Sequence, residues 1–293
     1  MIRKFHNLII LAGLLFMLAA CSERAEDSRP VVSVSILPQQ YMVQRIAGDN
    51  FRVNVLVPPG AGPETYEPTP GQMRDVANSL LYFSVGYIDF ERTIFHNMMR
   101  GNDGPLMVDT SEGMDMIASE IVDHGDHVHL YGVDPHIWLS VPGARIQAGN
   151  MTRALIGIDP ENSDFYLDNY EEFAGELDSL HESLTEMFSG SKRKTFLVFH
   201  PALGYFARDY GLEQVSVEQD GKSPTAANMR KIVDLARQEG ISDIFIQMEF
   251  ERENAKAVAR ELGGNVIEIN PLSADWLGAI EDLANKLHEV LNK

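Results

Sequence analysis

Two histidines and one glutamate occupy positions from which a folded chain can present them to a ligand. His200 follows the β-rich run 195–199, and Glu64 lies in a Gly- and Pro-rich loop after the β-rich run 51–57. Side chains at the carboxyl ends of parallel strands face the crevice in which open α/β sheets bind ligands. His136 follows a polar loop and precedes Ile-Trp-Leu. Each histidine is a candidate metal ligand, and the alternative is an ordinary packed or hydrogen-bonded histidine.

A second group of potential metal ligands lies in the segment 123–129. It contains His124, His127 and His129 together with Asp123 and Asp126. Imidazole and carboxylate groups on a Gly-containing loop can hold a metal ion loosely. A solvated acidic surface loop with incidental histidines is an equally good interpretation of this segment.

The elements that must position these residues alternate between β-rich and helical segments. In the first part of the chain the β-rich runs are 31–37, 51–57, 80–86 and 107–109, with helical patterns at 39–47 and 72–79. In the last part they are 195–199, 214–217, 243–247 and 265–269, with helical patterns at 224–238, 251–262 and 274–291. This alternation predicts an α/β fold with two lobes, each a mostly parallel sheet flanked by helices.

A long helix is predicted between the two lobes. Pro160 stands where a helix would start, and seven apolar residues follow at steps of three and four, the spacing that places side chains on one helical face. They are Tyr166, Tyr170, Phe173, Leu177, Leu180, Leu184 and Phe188. A helix over 160–188 would be about 40 Å long, enough to join both lobes rigidly. The alternative is a coiled-coil partner helix, although the segment lacks an extended pattern of flanking charges.

The composition narrows the class of protein. The chain has 293 residues, of which 44% are hydrophobic, and its formal net charge is −19. This acidic excess argues against nucleic-acid binding, which needs clustered Lys and Arg. The single cysteine excludes an intrachain disulfide and a Cys-rich zinc finger. The sequence also lacks the glycine-rich dinucleotide and phosphate loops and the His-Glu-x-x-His motif.

The N-terminus has the layout of a secretory signal. Arg3 and Lys4 precede a short apolar run, and Leu-Ala-Ala precedes Cys21, in the manner of a bacterial lipobox. Residues 1–20 are therefore expected to be a lipoprotein signal peptide, with the Cys21 thiol lipidated after cleavage and residues 21–30 as a tether. An ordinary signal with a chance cysteine is the alternative. The remaining divisions are an N-terminal lobe (31–158), a linking helix (159–191) and a C-terminal lobe (192–293).

Three separate segments carry a resemblance to a known family. They are Pro-Glu-Thr-Tyr-Glu-Pro at 63–68, Asp-Pro-His-Ile-Trp-Leu at 134–139, and His200 followed by Gly-Tyr-Phe at 204–206. Together they resemble the metal-specific solute-binding lipoproteins of bacterial ABC transporters, the zinc and manganese cluster. Their order, their spacing and the long central helix fit that family from the lipobox onward.

The resemblance implies a ligand set of Glu64, His136 and His200, with Asn270 or water in the fourth position. The family often has histidine where this chain has Glu64, and aspartate where it has Asn270. Two imidazoles and one carboxylate are a reasonable set for Zn²⁺, with Mn²⁺ or Fe²⁺ possible. Zinc-specific relatives often carry a His-rich acidic loop in the region of 123–129, which supports an auxiliary metal-capturing role for that segment.

The function implied by the resemblance is a receptor, and not an enzyme. A periplasmic or cell-surface lipoprotein, expected to be monomeric, would capture a divalent transition metal, with zinc expected, in the cleft between the lobes and deliver it to an ABC permease and its ATPase. One alternative is a metalloenzyme with a two-His-one-carboxylate site, for which Glu67 or Glu249 would be the available general base. The other is an adhesin that the metal stabilises.

Overall fold

The computed structural model describes residues 27–98, 104–123, 128–218, 225–250 and 252–293. In these ranges the chain forms two α/β lobes, each built on a parallel four-stranded sheet, and this confirms the predicted fold class. None of the helices within them is both long and apolar enough to cross a lipid bilayer. The predicted signal segment with Cys21, and His124 and His127, lie outside the described residues.

The N-terminal lobe alternates strands and helices. Its elements are β1 (Val31–Val34), α1 (Leu37–Ala47), β2 (Arg52–Val55), α2 (Pro70–Ala77), β3 (Leu81–Ser84), α3 (Asp89–Met98) and β4 (Leu106–Asp109). The strand order is β2-β1-β3-β4, and Val34 of the central β1 lies opposite Val55 and Phe83. Local sequence explains where α2 begins: Thr69 and Gln72 form a reciprocal capping box, and Pro70 occupies the first helical turn.

A hairpin and two helices separate the two sheets. They are β5 (Ala118–Asp123), β6 (Val128–Val133), α4 (Val141–Ile158) and α5 (Ser163–Ser189). The Ser140 hydroxyl accepts a hydrogen bond from the Gly143 N–H at 2.9 Å and so caps α4. A 3₁₀ turn at Pro160–Asn162 reverses the chain into α5, which packs against α1 and α4.

The C-terminal lobe repeats the alternation. Its elements are β7 (Thr195–Val198), α6 (Gly204–Asp209), β8 (Glu213–Ser216), α7 (Ala226–Gln238), β9 (Ile244–Gln247), α8 (Arg252–Leu262), β10 (Val266–Ile269) and α9 (Trp276–Asn292). The strand order is β10-β9-β7-β8, so β7 and β9 are the central strands. They end side by side at one edge of the sheet, because all pairs in this sheet are parallel.

The apolar face predicted for the central helix is confirmed. Tyr166, Phe173, Leu177, Leu184 and Phe188 are buried in the core, and the other two predicted residues pack against it. The predicted start at Pro160 is early, because Pro160–Asn162 form a 3₁₀ turn and the α-helix begins at Ser163. At 27 residues, α5 is about 40 Å long.

The β-rich and helical patterns read from the sequence did not include α3, α4, α6 or the β5–β6 hairpin. In α4 the polar residues Gln147, Asn150 and Thr152 are buried, and they blur the apolar repeat by which an amphipathic helix is identified. The hairpin occupies part of the segment expected to be a loop. Asp123 in β5 pairs with Val128 in β6, and His129 belongs to strand β6.

One apolar core extends through both lobes. It contains Val32 and Phe83 of the first sheet, Phe173 of α5, and Phe196 and Trp276 of the C-terminal lobe. A smaller apolar cluster covers the other face of the second sheet, with alternate β7 residues facing each cluster. The shared core means that the lobes do not meet only through a connecting helix.

Two tryptophans tie the lobes together by hydrogen bonds to backbone carbonyls. The Trp276 Nε1–H donates to the carbonyl of Trp138 at 2.7 Å, and the Trp138 Nε1–H donates to the carbonyl of Pro271 at 3.0 Å. Both indole rings are 1% exposed. These bonds fix the segment just after His136 against the C-terminal lobe.

We predict that Trp276→Phe destabilises the protein by about 2 kcal/mol, because it leaves the buried Trp138 carbonyl without its donor. Urea unfolding followed by circular dichroism measures this change. Leu167→Ala on α5, where Leu167 is 45% exposed, is the control and should stay within about 0.5 kcal/mol of wild type. Equal stability of Trp276→Phe and wild type would show that the indole bond contributes nothing.

Candidate metal centre

Each of the three predicted ligands lies at a short turn or just after a strand. Glu64 lies in the 3₁₀ turn Pro63–Thr65, on the loop after β2. His136 immediately precedes the 3₁₀ turn Ile137–Leu139. His200 follows β7, with one residue between it and the end of the strand. Three distant parts of the chain therefore contribute to a single site.

The structure brings the three side chains together. The Nε2 atoms of His136 and His200 are 3.3 Å apart. The Glu64 carboxylate is 3.5 Å from Nε2 of His136 and 3.3 Å from Nε2 of His200. In the described residues these three form a cluster whose ligand atoms all lie within 4.8 Å of one another. The two histidines are 5% and 4% exposed, whereas the Glu64 side chain is 34% exposed.

The other ring nitrogen of each histidine is held by a carboxylate. Nδ1 of His136 is 2.7 Å from Oδ1 of Asp134, and Nδ1 of His200 is 2.7 Å from Oε2 of Glu218. A carboxylate accepts hydrogen bonds, so each Nδ1 carries the proton and each Nε2 offers a lone pair. Carboxylates placed in this way orient metal-binding histidines and make them better ligands.

The electrostatics of the cluster favour a cation at its centre. Burial alone would raise the pKa of Glu64, but its contacts with the two imidazoles outweigh burial and hold the pKa below its ordinary value. For His200, burial lowers the pKa, yet the carboxylates of Glu64 and Glu218 outweigh that effect and raise it overall. Both shifts come from attraction between the carboxylates and protonated imidazole, so the cluster favours positive charge at its centre.

The cluster lies between two cavities. The inner cavity, about 120 Å³, is also lined by Trp138, Gln247, Glu249, Phe250 and Leu272. The outer one, about 540 Å³, opens toward Tyr87, Asp89, Ile117 and Gln214. The inner volume suits an ion with one or a few water molecules rather than an organic substrate.

Aromatic rings restrict the movement of both imidazoles. Phe250 stacks on His200, with ring centroids 4.7 Å apart and planes at 22°. Trp138 lies against His136 at 5.2 Å. Together with the carboxylates on Nδ1, these contacts fix the direction in which each Nε2 lone pair points.

Of the remaining predicted site residues, Asn270 is described by the structure and lies apart from this cluster. Asn270 is exposed and lines a separate small cavity with Ile269 and Trp276, whereas its neighbours Pro271 and Leu272 line the inner cavity. Of the predicted auxiliary histidines, His129 lies in β6. Cys21, His124 and His127 fall outside the described residues.

Two site residues were not identified from the sequence as partners of the histidines. Asp134 lies two residues before His136, and its carboxylate also accepts a hydrogen bond from the His136 backbone N–H at 2.9 Å. Glu218 follows β8, the strand that neighbours β7, and is 8% exposed. An acidic residue just after the strand next to a candidate histidine was the available signal for Glu218.

Comparison with known proteins identifies relatives over nearly the whole chain. A sequence model of the family described as ZnuA, zinc-uptake complex component A periplasmic, matches residues 32–290. The high-affinity zinc uptake system protein ZnuA of Bacillus subtilis (strain 168) is 27% identical over 290 residues, which cover 93% of this chain and 90% of that protein. The manganese ABC transporter substrate-binding lipoprotein PsaA of Streptococcus anginosus is 24% identical over 277 residues, covering 88% of this chain and 86% of that protein.

Solved structures agree with this relationship. The crystal structure of a zinc-bound ZnuA variant with an internal deletion has a TM-score of 0.82 and 32% sequence identity, and it covers 91% of this chain and 99% of its own. The family consists of solute-binding transport proteins and not of enzymes, so the metalloenzyme alternative is set aside. The chain belongs to the ZnuA family, the metal-specific solute-binding proteins of ABC transporters.

Proposed function

We propose that this protein binds one zinc ion between Nε2 of His136, Nε2 of His200 and the carboxylate of Glu64, and delivers it to the permease of an ABC importer. The observation that carries the proposal is the convergence of two Nε2 lone pairs, 3.3 Å apart, on one carboxylate. The same atoms are the ligand types that zinc takes in proteins. Delivery to a permease driven by an ATPase follows from membership of the family.

The ligand set supports zinc over Mn²⁺. Two of the three groups are imidazole nitrogens, which suit zinc, whereas Mn²⁺ favours carboxylate, carbonyl and water oxygens. Relatives named for zinc and for manganese both match this chain. The choice between Zn²⁺ and Mn²⁺ therefore rests on the ligands of this chain and not on the names of its relatives.

The proposal includes an extracytoplasmic location. Family members are described as periplasmic or as lipoproteins, which supports signal cleavage after residue 20, lipidation of Cys21 and a tether over residues 21–30. In this arrangement a monomeric receptor faces away from the cytoplasm, with an N-terminal lobe (31–158), a linking helix (159–191) and a C-terminal lobe (192–293). His124, His127 and His129 would assist capture of the ion from solution.

The shared core supports release of the ion by local movement. Phe83, Phe173 and Phe196 belong to one apolar cluster that spans the two lobes and the long helix. Separating the lobes as rigid bodies would expose this cluster to water at about 25 cal/mol per Å² of apolar surface. Movement of the Glu64 loop would leave Phe83, Phe173 and Phe196 in contact, and the Glu64 side chain is already 34% exposed.

We predict that purified protein contains one zinc ion per chain by elemental analysis, and that His136→Ala and Glu64→Ala each weaken binding at least 100-fold in a competition titration. Each substitution removes one of three proposed ligands. His181→Ala, a histidine on α5 outside the cluster, is the matched control and should bind as wild type does. Stoichiometric zinc retained by both ligand variants would refute the assigned site.

Chelation distinguishes the receptor from a metal-stabilised adhesin. A receptor with a complete apolar core keeps its circular dichroism spectrum when the ion is removed, and zinc at 100 times its Kd adds only about 2.7 kcal/mol of stability. Unfolding on chelation would contradict the receptor proposal and favour a structural metal.

We predict that Glu218→Gln weakens zinc binding 10- to 100-fold, since partners that orient a ligating histidine typically contribute about this much. The substitution keeps an acceptor near Nδ1 of His200 but removes its charge. Glu213→Gln on β8 is the control, because Glu213 is exposed and lies on the same edge strand. Isothermal titration calorimetry measures both variants, and equal affinities would show that Glu218 has no part in binding.

We predict that zinc affinity falls as the pH decreases. Zinc must displace the proton from Nε2 of His200, and the raised pKa of His200 means that this competition begins above pH 6.5, the usual imidazole value. One displaced proton changes affinity by up to about 10-fold per pH unit. Protonated His200 also stabilises the metal-free fold, and this stabilisation is fully present below about pH 6.5. It is lost as the pH rises through the raised pKa of His200. The increase in stability caused by zinc should therefore be largest at alkaline pH. Unchanged affinity between about pH 7.5 and 5 would show that the histidines are not ligands.

A further inference from the structure

The three-residue cluster leaves one side of the ion facing the inner cavity. A structural zinc site is usually four-coordinate, so a group on the wall of the inner cavity, about 120 Å³, is a candidate for the fourth position. The sequence pointed to Asn270 for the fourth position, but Asn270 is exposed and lines a different cavity. The fourth position therefore falls to water or to another residue of the inner cavity wall.

Glu249 lies on the wall of the inner cavity, at the strand edge that also carries His200. It follows β9 by two residues, and β9 is the parallel neighbour of β7, which His200 follows. The residues beside Glu249 are tied to His200 on both sides. Gln247 donates from Nε2 to the His200 carbonyl at 3.1 Å, and the Phe250 ring stacks on the His200 imidazole. Glu249 is thus held next to the cluster by its own chain neighbours.

Within the described residues, no side-chain hydrogen bond or ion pair engages the Glu249 carboxylate. This distinguishes it from Glu218, the other carboxylate of the inner wall, which is engaged with Nδ1 of His200. Burial raises the pKa of Glu249, and the charge of His200 opposes that rise. A half-buried carboxylate without a partner is costly, and a divalent ion beside it removes that cost.

The donor type also favours Glu249. Zinc takes carboxylate oxygens as ligands in proteins, and Glu249 offers one on the wall of the inner cavity. The amide oxygen that Asn270 would offer is neutral and is a weaker zinc ligand.

We propose that Glu249 is the fourth ligand of the ion, in place of Asn270. This inference rests on the proposed zinc-binding function. Glu249 stands outside the three-residue cluster, so its side chain rotates across the inner cavity when the ion is present. A site of two histidines and two glutamates results, with Glu64 from the N-terminal lobe and Glu249 from the C-terminal lobe facing each other across the ion.

Glu249→Gln tests the inference, because it preserves shape and removes the charged ligand. Zinc affinity is measured by competition titration, and Co²⁺ is used as a spectroscopic probe of coordination. We expect zinc binding to weaken at least 100-fold and the visible Co²⁺ bands to change in position and intensity. Glu67→Gln, an exposed glutamate in the Glu64 loop, and Asn270→Ala are the controls and should leave both readouts as in wild type.

The outcomes separate this inference from the proposed function. If Glu249→Gln binds zinc as wild type does, or weakens it less than 10-fold with an unchanged Co²⁺ spectrum, Glu249 is not a ligand and the inference fails. The proposed function then stands as long as His136→Ala weakens zinc binding at least 100-fold. A changed Co²⁺ spectrum in Asn270→Ala would also overturn the inference. If wild-type protein binds no zinc, both the function and the inference fail. Circular dichroism of the metal-free Glu249→Gln protein checks that it is folded.

Discussion

The metal site depends on the electrostatic repulsion among three electron-rich groups, the two neutral imidazole Nε2 atoms and the Glu64 carboxylate. The Nε2 atoms of His136 and His200 lie 3.3 Å apart and both face the Glu64 carboxylate. Asp134 and Glu218 hold the protons of both rings on Nδ1, so neither ring can relieve the repulsion by changing tautomer. A proton or a metal ion is needed between them. The fold thus preorganises the ligands for a cation before the ion binds.

The two Nε2 atoms stay 3.3 Å apart only if the two lobes keep their relative positions. His136 belongs to the segment that precedes α4, whereas His200 follows the central strand of the second sheet. The indole of Trp276, bonded to the Trp138 carbonyl at 2.7 Å, and the apolar core that runs through both lobes hold these segments in register. The long helix α5 contributes one side of that core. Rigidity between the lobes and preorganisation of the site therefore have the same physical origin, the shared apolar core.

The sequence predicted the parts of the fold that carry a clear repeat. The sheet strands were found from their β-rich runs, and the apolar face of α5 was found from apolar residues at steps of three and four. Both patterns indicate which side chains are buried in the core. Helix α4 was missed because Gln147 and Asn150 are buried by hydrogen bonds that only the tertiary structure supplies. Glu218 was missed for a related reason: it acts through His200, to which it is bonded across 18 positions of sequence. Spacing along the chain does not reveal such a pairing.

The bulk acidity of the chain, −19, attracts every cation alike, and selection must come from the buried site. Ca²⁺ takes six to eight oxygen ligands and Mg²⁺ keeps most of its water, so neither gains from two fixed imidazole nitrogens in a narrow cavity. Borderline transition ions do gain, because imidazole suits them and a small ligand number is enough. Asp134 and Glu218 extend this selectivity, since they make His136 and His200 stronger donors without offering oxygen to the ion. A hard cation drawn in by surface charge thus meets two nitrogens and too few oxygens, and a transition ion is retained.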